Sequence, residues 1–293
     1  MIIGPEAGDG MDRARRMWTL FEPVHAVTYF APQARARYEA VGLRGYWRGY
    51  FAGRAAAFGP VGPGPVHATF FGFHPAMVRR ALPDVWTRAT PADTLAARLD
   101  GARAALDDVL GSVPAADVAE AAELLRSAAG QADLAGRALA AAHADLPWPA
   151  DPVGVLWQAA TVLREHRGDG HVATLVNAGL DGVEALVWRS ALDSDREVLQ
   201  PNRGWSDEEW DAAATRLVER GWLEVDGRPT TAARTARDDI ERRTDELAVA
   251  PWRGLGGTAT ERLASLLHPI AMAARTHLPA MNPIGLPAPH RSA

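Results

Sequence analysis

The sequence predicts a mainly α-helical protein in which one structural plan is written twice. Long stretches rich in alanine, leucine, arginine and glutamate carry apolar residues at intervals of three and four, which is the spacing of one helix face. Only residues 66–73 and 222–225 have the composition of short strands. Short sequence matches also recur in the same order in both halves of the 293-residue chain.

Nine helical segments follow from this spacing, separated by turns rich in glycine and proline. They are residues 13–30, 33–58, 92–110, 115–144, 153–166, 170–193, 206–221, 231–248 and 258–276. Ser206, with Glu209 three residues later, forms a capping box that starts the seventh helix. Gly221 is suited to end that helix in the left-handed conformation.

The segment RLVERGWLEVDGRPTTAAR, at residues 216–234, resembles the recognition helix and wing of MarR-like winged-helix proteins. In those proteins a leucine-rich helix ends in Arg-Gly, passes into a short strand, turns, and returns with a threonine before the last helix. The resemblance covers about residues 155–248. It implies a helix-turn-helix unit with a small β-wing.

An internal repeat extends this plan to the first half of the chain. GLRG at 42–45 matches GLDG at 179–182, which lies 137 residues later. Arg80 and Trp86 match Arg216 and Trp222, which lie 136 residues later. The ordered matches favour an ancient duplication over chance similarity between alanine-rich helices.

A duplicated winged helix would be a homodimer fused into one chain, because such proteins usually pair about a twofold axis. We therefore predict two tandem winged-helix-like repeats with small β-wings, forming a single-chain pseudo-dimer. The first repeat is degenerate and spans residues 12–149, and the second spans 150–277. Residues 278–293 form an extended, proline-rich tail.

Composition excludes several kinds of chemistry. The chain has no cysteine, and all 31 of its basic residues are arginine, so thiolate nucleophiles, disulfides and catalytic lysines are impossible. No segment reaches the roughly 20 apolar residues that a membrane span requires. The first residues lack the pattern of a secretory signal, so we expect a cytoplasmic protein with no membrane partner.

Binding to DNA is possible but disfavoured. The net charge is −5, and the expected reading helix begins with four carboxylates, at Asp207, Glu208, Glu209 and Asp211. Carboxylates at the start of a recognition helix would be repelled by the phosphate backbone. Arg79 and Arg80 in the first repeat leave binding through one face open.

Trp18, Glu22, His25 and Tyr29 fall at spacings of four, three and four, so they share one face of a helix. A polar lining of a pocket would explain this face, with His25 acting in acid–base chemistry and Glu22 orienting it. The alternatives are a buried hydrogen-bond network and a solvated face. Pro23 could introduce a kink.

Glycines at 45, 49 and 53 make a smooth strip beside Trp47 and Tyr50. A neighbouring helix or a flat ligand held by these two aromatic residues could approach the strip. Phe70, Phe73 and His74 follow in an aromatic segment that either packs in the core or lines the same pocket.

HRGDGH, at residues 166–171, is predicted to join two helices. Asp169 could cap the second of these helices and pair with Arg167. The repeat places His166 where the first half has Tyr29, so a functional centre shared by the two halves, including His171, is the alternative interpretation.

Five segments together resemble an actinobacterial family of helix-turn-helix proteins over nearly the whole chain. They are LFEPVHAVTYFAP, GLRGYWRGYFAGRAA, ATFFGFHPAMVRRALPDVW, HRGDGH and LPAMNPIGLP. Members of that family are often encoded beside natural-product gene clusters, and their activity is poorly defined. The resemblance implies origin and context, and it supplies no catalytic residue.

We expect a protein that binds a hydrophobic small molecule and cyclises, isomerises or hydrates it by metal-independent acid–base chemistry. The candidate catalytic residues are Glu22, His25, Tyr29, Arg167 and His171, and the candidate ligand-binding residues are Trp18, Trp47, Tyr50, Phe70, Phe73, His74 and Asp169. No metal or other cofactor is expected. The alternatives are a ligand-responsive transcription regulator and a haem protein with His25 or His74 as axial ligand. The fused dimer would be a monomer in solution or a weak homodimer.

Overall fold

Helices account for most of the structure, which confirms the prediction of a mainly α-helical protein. The computed structural model describes residues 5–286, with side chains from Gly10 onwards. The α-helices of this part of the chain are α1 (Pro5–Phe30), α2 (Pro32–Ala40), α3 (Tyr46–Ala55), α4 (Pro63–Phe70), α5 (Pro75–Arg79), α6 (Pro91–Val109), α7 (Ala115–Ala129), α8 (Ala138–Ala144), α9 (Pro152–Asn177), α10 (Gly182–Leu192), α11 (Arg196–Leu199), α12 (Asp207–Glu219), α13 (Thr231–Leu247), α14 (Ala250–Leu255) and α15 (Gly257–Ala274). None of them is long and apolar enough to cross a membrane.

Helix ends follow the local sequence signals closely. The side chain of Ser206 accepts a hydrogen bond from the backbone N–H of Glu209, and the Glu209 carboxylate accepts one from the N–H of Ser206 at 3.0 Å. Gly221 follows the helix with a φ of +75°. The predicted capping box and glycine terminator of α12 are therefore confirmed.

The predicted strands and β-wings are wrong for the described residues. Residues 66–73 form the last turns of α4 and a bend, since Pro63 at the first helical position starts a helix there. Residues 222–230 turn back on themselves, but only Leu223 and Pro229 form a bridge. Two backbone hydrogen bonds close this turn, from Glu224 N–H to Arg228 O and from Thr230 N–H to Trp222 O. The paired segment is therefore too short to form a β-ladder.

Several predicted helices also have other bounds: residues 130–137 interrupt the helix predicted at 115–144, and residues 178–181 interrupt the one predicted at 170–193. Residues 166–171 do not join two helices, because α9 runs through them without a break from Pro152 to Asn177. Gly170 inside this helix leaves room for the guanidinium of Arg137, which would clash with any added Cβ. The predicted helix at 33–58 is divided at Gly42 and Gly45, which both have φ near +90°.

The two longest helices, α1 and α9, pack side by side at the centre of the fold. Helix α1 also packs against α15, and α9 packs against α7, so each central helix contacts a helix from the other half of the chain. In addition, α9 contacts α6, α8 and α13. One apolar core, from Ala14 to Ala274, therefore draws on both halves.

Two smaller apolar clusters flank this core. The first holds Phe51, Phe70 and Phe73 from α3, α4 and the bend after it, and the second holds Trp188 and Trp210 from α10 and α12. The tail predicted at 278–293 is described only as far as residue 286, and residues 287–293 lie outside the described residues.

Candidate ligand cavity

A cavity of about 700 Å³ lies between α1, α3, α9, α10 and α13. Eight of the twelve residues singled out from the sequence line it: Trp18, Glu22, Tyr50, Phe70, Phe73, Arg167, Asp169 and His171. A volume of this size suits a drug-sized organic ligand. The structure therefore brings most of the candidate residues to one space.

The walls combine aromatic rings with many charges, most of which sequence reasoning missed. Seven arginines line the cavity, at Arg15, Arg54, Arg164, Arg167, Arg189, Arg203 and Arg237. Five carboxylates accompany them, at Glu22, Glu165, Asp169, Asp193 and Glu241. The position of Arg54 four residues after Tyr50 was the one available local signal, because it places both side chains on one helix face.

Glu165 anchors the charged wall. Its carboxylate accepts hydrogen bonds from Arg54 at 3.0 Å and from Arg164 at 2.6 Å, and it is 1% exposed. Although burial alone would raise it, these two guanidinium groups hold the pKa of Glu165 well below its usual value. Arg54 also lies over the ring of Phe70, 4.0 Å from its centroid, so the ion pair is fixed against the aromatic wall.

Glu22 has a different environment, although it lies on the same wall. It accepts hydrogen bonds from the indole N–H of Trp18 at 3.1 Å and from Arg164 at 3.4 Å. Burial raises the pKa of Glu22, and these partners offset the rise only in part. A carboxyl group with a raised pKa can donate a proton nearer to neutral pH.

Arg167 links α9 to α13. It donates to Asp245 at 2.8 Å and lies over the ring of Trp18, 4.5 Å from its centroid. Its Nε–H is buried without a hydrogen-bond partner among the described residues. The ion pair and the indole ring therefore fix the guanidinium of Arg167 on the cavity wall.

His171 presents an accessible basic nitrogen. Its Nδ1 lies 3.0 Å from the hydroxyl of Thr244, which itself donates to the carbonyl of Ile240 at 2.8 Å. The Thr244 oxygen must therefore accept from Nδ1–H, which leaves Nε2 as the unprotonated nitrogen. Burial lowers the pKa of His171 to about 4. The ring is therefore neutral near pH 7, with the Nε2 lone pair available.

His25 and Tyr29 lie outside the cavity. His25 Nδ1 contacts Thr161 Oγ1 at 2.9 Å and Nε2 contacts the Tyr29 hydroxyl at 2.8 Å. Because Thr161 donates to the carbonyl of Trp157, it accepts from Nδ1–H, and Tyr29 donates to Nε2. Burial lowers the pKa of His25 well below its usual value and raises that of Tyr29 to about 12. Both rings are thus neutral members of a buried network.

Trp47 and His74 also lie away from the cavity. Trp47 packs on Phe51 and Phe73 in the aromatic cluster. Nδ1 of His74 accepts from the backbone N–H of Ala76, and Nε2 contacts the Glu209 carboxylate at 3.0 Å. His74 thus joins the start of α5 to the start of α12.

Asp169 and the glycine strip have structural roles that need distant partners. Asp169 accepts from the backbone N–H groups of Leu139 and Ala140, both at 3.0 Å, so it caps α8 rather than the helix that follows it. Tyr38 of α2 covers the strip, and its ring lies 2.9 Å from where a Cβ on Gly49 would be. A neighbouring helix, rather than a ligand, therefore explains this close approach.

Acidic residues of α12 are held by nearby arginine and histidine side chains. Arg196 donates to Asp207 at 2.8 Å and to Asp211 at 2.9 Å. The described residues contain no group of three or more histidine, aspartate or glutamate side chains placed to hold a metal ion.

A helix-turn-helix family matches residues 14–279. No curated protein and no solved structure matches the chain. The match covers most of the 293 residues, which is enough to assign the chain to the family. The chain belongs to this helix-turn-helix family.

Proposed function

We propose that this protein binds a small organic molecule in the cavity between α1, α9 and α13 and rearranges it by acid–base catalysis. The observation that carries the proposal is an accessible, neutral imidazole nitrogen of His171 on the wall of a cavity that also holds Glu22. Cavities that combine aromatic walls with a few convergent polar groups are typical of ligand sites.

His171 is the base in this proposal. Thr244 fixes the ring through Nδ1–H, so Nε2 can take a proton from a carbon next to a carbonyl group. The electron pair of the broken C–H bond moves onto the carbonyl oxygen as an enolate. The guanidinium groups on the cavity wall, among them that of Arg167, would stabilise that negative charge.

Glu22 is the proton donor. Burial raises its pKa and lowers that of His171, which is the divergence expected of an acid and a base in one site. Glu22 would return a proton to another carbon or to the oxygen of the enolate, which completes an isomerisation. The proton on the His171 imidazolium would then pass through water to the Glu22 carboxylate, which restores both groups. Tyr29 lies behind the wall, with its ring centroid 5.3 Å from that of Tyr50, so we assign Tyr29 and His25 to positioning.

Deuterium exchange tests the proposal directly. Benzoylacetone and phenylpyruvate are aromatic carbonyl compounds with an acidic C–H bond, which match the aromatic wall of the cavity and the proposed base. Incubated in D₂O, each would gain deuterium faster with the protein than with buffer alone, as followed by NMR. His171→Asn should abolish the acceleration, because asparagine can replace Nδ1–H but not Nε2.

His268→Asn is the matched control, since His268 lies on α15 away from the cavity. Exchange at the buffer rate with the wild-type protein, or equal exchange in the two variants, would show the catalytic proposal to be wrong. Ligand binding would then have to be tested separately, by thermal shift.

We further propose that the chain arose as two winged-helix units fused into a pseudo-dimer. The reciprocal packing of α1 on α15 and of α9 on α7 supports this origin. A single chain per particle in light scattering would be expected, whereas a tight dimer would contradict it.

A ligand-responsive regulator is the second candidate, and the helix-turn-helix family favours it. Arg79 and Arg80 are exposed on and beside α5 and could contact phosphate. A salt-sensitive shift of DNA from upstream of the coding sequence, lost in a variant with both arginines changed to glutamine, would support this role. The carboxylates at the start of α12 oppose it.

Haem binding is the weakest of the three hypotheses. Both ring nitrogens of His25 and of His74 already have hydrogen-bond partners, which an axial bond to iron would have to replace. A Soret band in the protein incubated with haemin, lost in His74→Ala, would be needed to support it.

A further inference from the structure

Arg203 differs from the other arginines that line the cavity. Arg15, Arg54, Arg164, Arg167, Arg189 and Arg237 each form an ion pair with a carboxylate. Among the described residues, Arg203 has no such partner, and the hydrogen bond its side chain makes goes to the carbonyl of Asn202 at 3.0 Å. A cation on the wall of a cavity without a counter-charge would be stabilised by an external anion.

The surroundings of Arg203 favour an anion as well. The guanidinium lies over the ring of Phe73, 4.6 Å from its centroid, which holds the group flat against the aromatic wall. Arg189 is only weakly paired, at 3.4 Å from Asp193, and also donates to the carbonyl of Pro283 at 3.0 Å. Burial lowers the pKa of both guanidinium groups, and their mutual repulsion contributes to the lowering at Arg203.

The wall next to these two arginines is apolar. Tyr50, Phe70 and Phe73 make edge and tilted contacts with one another around Phe51, and all three line the cavity. A flat hydrocarbon body could lie against these rings while a charged end reaches Arg203. The cavity therefore suits a ligand with a negatively charged group at one end and a flat apolar body at the other.

We propose that Arg203, assisted by Arg189, binds an oxyanion group of the ligand, a carboxylate or a phosphate, while the aromatic body of the ligand packs against Phe70 and Phe73. This inference rests on the proposed function, because it places the ligand in the same cavity. It adds that the substrate is an aromatic acid or an aromatic phosphate ester.

A naphthalene series tests the inference. The probes are 2-naphthoic acid, 2-naphthyl phosphate and the neutral 2-naphthamide, with dissociation constants measured by calorimetry at low ionic strength. The acid, the phosphate or both should bind about tenfold or more tightly than the amide, as a charge-assisted hydrogen bond provides. The tighter of the two anions identifies the oxyanion.

Arg203→Gln should remove this preference and leave the affinity for the amide unchanged, which also shows that the cavity is intact. Arg203→Lys should retain part of the preference, because it keeps the charge but not the planar donor pair. Arg253→Gln is the matched control, since Arg253 is exposed on α14 and outside the cavity.

Two results would overturn the inference. Equal binding of the amide and the anions to the wild-type protein would remove the oxyanion site but leave a ligand cavity in place. An anion preference that survives in Arg203→Gln would assign the site to another group. Failure of every probe to bind the wild-type protein would count against both the inference and the proposed function.

Discussion

The hydroxyl of Tyr29 donates a hydrogen bond to Nε2 of His25 at 2.8 Å, and both side chains are buried outside the large cavity. The pair lies one helical turn apart on α1 and is locked from the other side by Thr161 on α9. It joins the two central helices through a neutral network, so it belongs to the structural support of the cavity.

Tyr29→Phe is expected to destabilise the protein by about 1–3 kcal/mol, because it leaves a buried acceptor on His25 without its donor. Unfolding in urea measures the change. Tyr46→Phe is the control, since Tyr46 is 40% exposed. Equal stability of the two variants would mean that the bond contributes nothing.

Acidification from pH 7 to about pH 4 is expected to weaken the fold. Burial lowers the pKa of four histidines below the usual 6.5, those of His25, His143, His166 and His171. The unfolded chain therefore binds more protons than the folded one below pH 6.5, and stability falls with pH. Each histidine contributes up to about 1.4 kcal/mol per pH unit in this range.

Urea midpoints at pH 7.5, 6 and 5 measure this dependence. His143→Asn should reduce the slope between pH 6 and pH 5 by about a quarter, because it removes one of four groups. A midpoint that does not change over this range would contradict the buried, neutral state of these rings.

Glu165→Gln is expected to cost about 3–5 kcal/mol, because Arg54 and Arg164 would lose their shared counter-charge in a buried place. Chemical unfolding is again the measurement. Glu120→Gln breaks an exposed pair with Arg262 and should have no measurable effect. Similar effects of the two substitutions would show that the buried pair is not important for stability.

Asp169→Ala should cost about 0.5–2 kcal/mol by removing the cap of α8, whereas Asp169→Asn should retain most of the stability, since the amide oxygen still accepts hydrogen bonds. Amide hydrogen exchange at Leu139 and Ala140 reports the cap directly. Unchanged protection of these two amides in Asp169→Ala would contradict the assignment.

Gly53→Ala should destabilise the protein by about 1–3 kcal/mol, because the new methyl group would overlap the hydroxyl of Tyr38. Tyr38→Phe in the same chain should restore part of the loss. Gly64→Ala in α4 is the control, with no atom near the added Cβ, and it should be neutral or slightly stabilising. Unchanged stability of Gly53→Ala would contradict the close packing of α2 on α3 at this glycine.

Local patterns were sufficient to predict some of these features. The helix spacing predicted most helices, and the Ser206–Glu209 pair predicted the start of α12, because both signals act within one or two turns. The stripe from Trp18 to Tyr29 does lie on one continuous helix despite Pro23. Trp18 and Glu22 of this stripe face the cavity, whereas His25 and Tyr29 are enclosed beside α9.

Other features depend on partners that are far away in sequence. Glycines and an aspartate at 168–170 indicated a turn, yet Arg137 and the start of α8 occupy the space that these residues leave. The role proposed for Arg203 depends on its having no ion pair among the described residues, which no local pattern reveals. Tertiary packing therefore decides both the continuity of α9 and the composition of the cavity wall.

The central position of α9 has a consequence for the integrity of the chain. Helix α9 belongs to the second half, but α6, α7 and α8, which it contacts, belong to the first. A protease that cuts between α8 and α9 would therefore release no independent unit. The two fragments should co-purify. Each fragment expressed alone should expose an apolar surface and aggregate, and co-expression with the other fragment should prevent this.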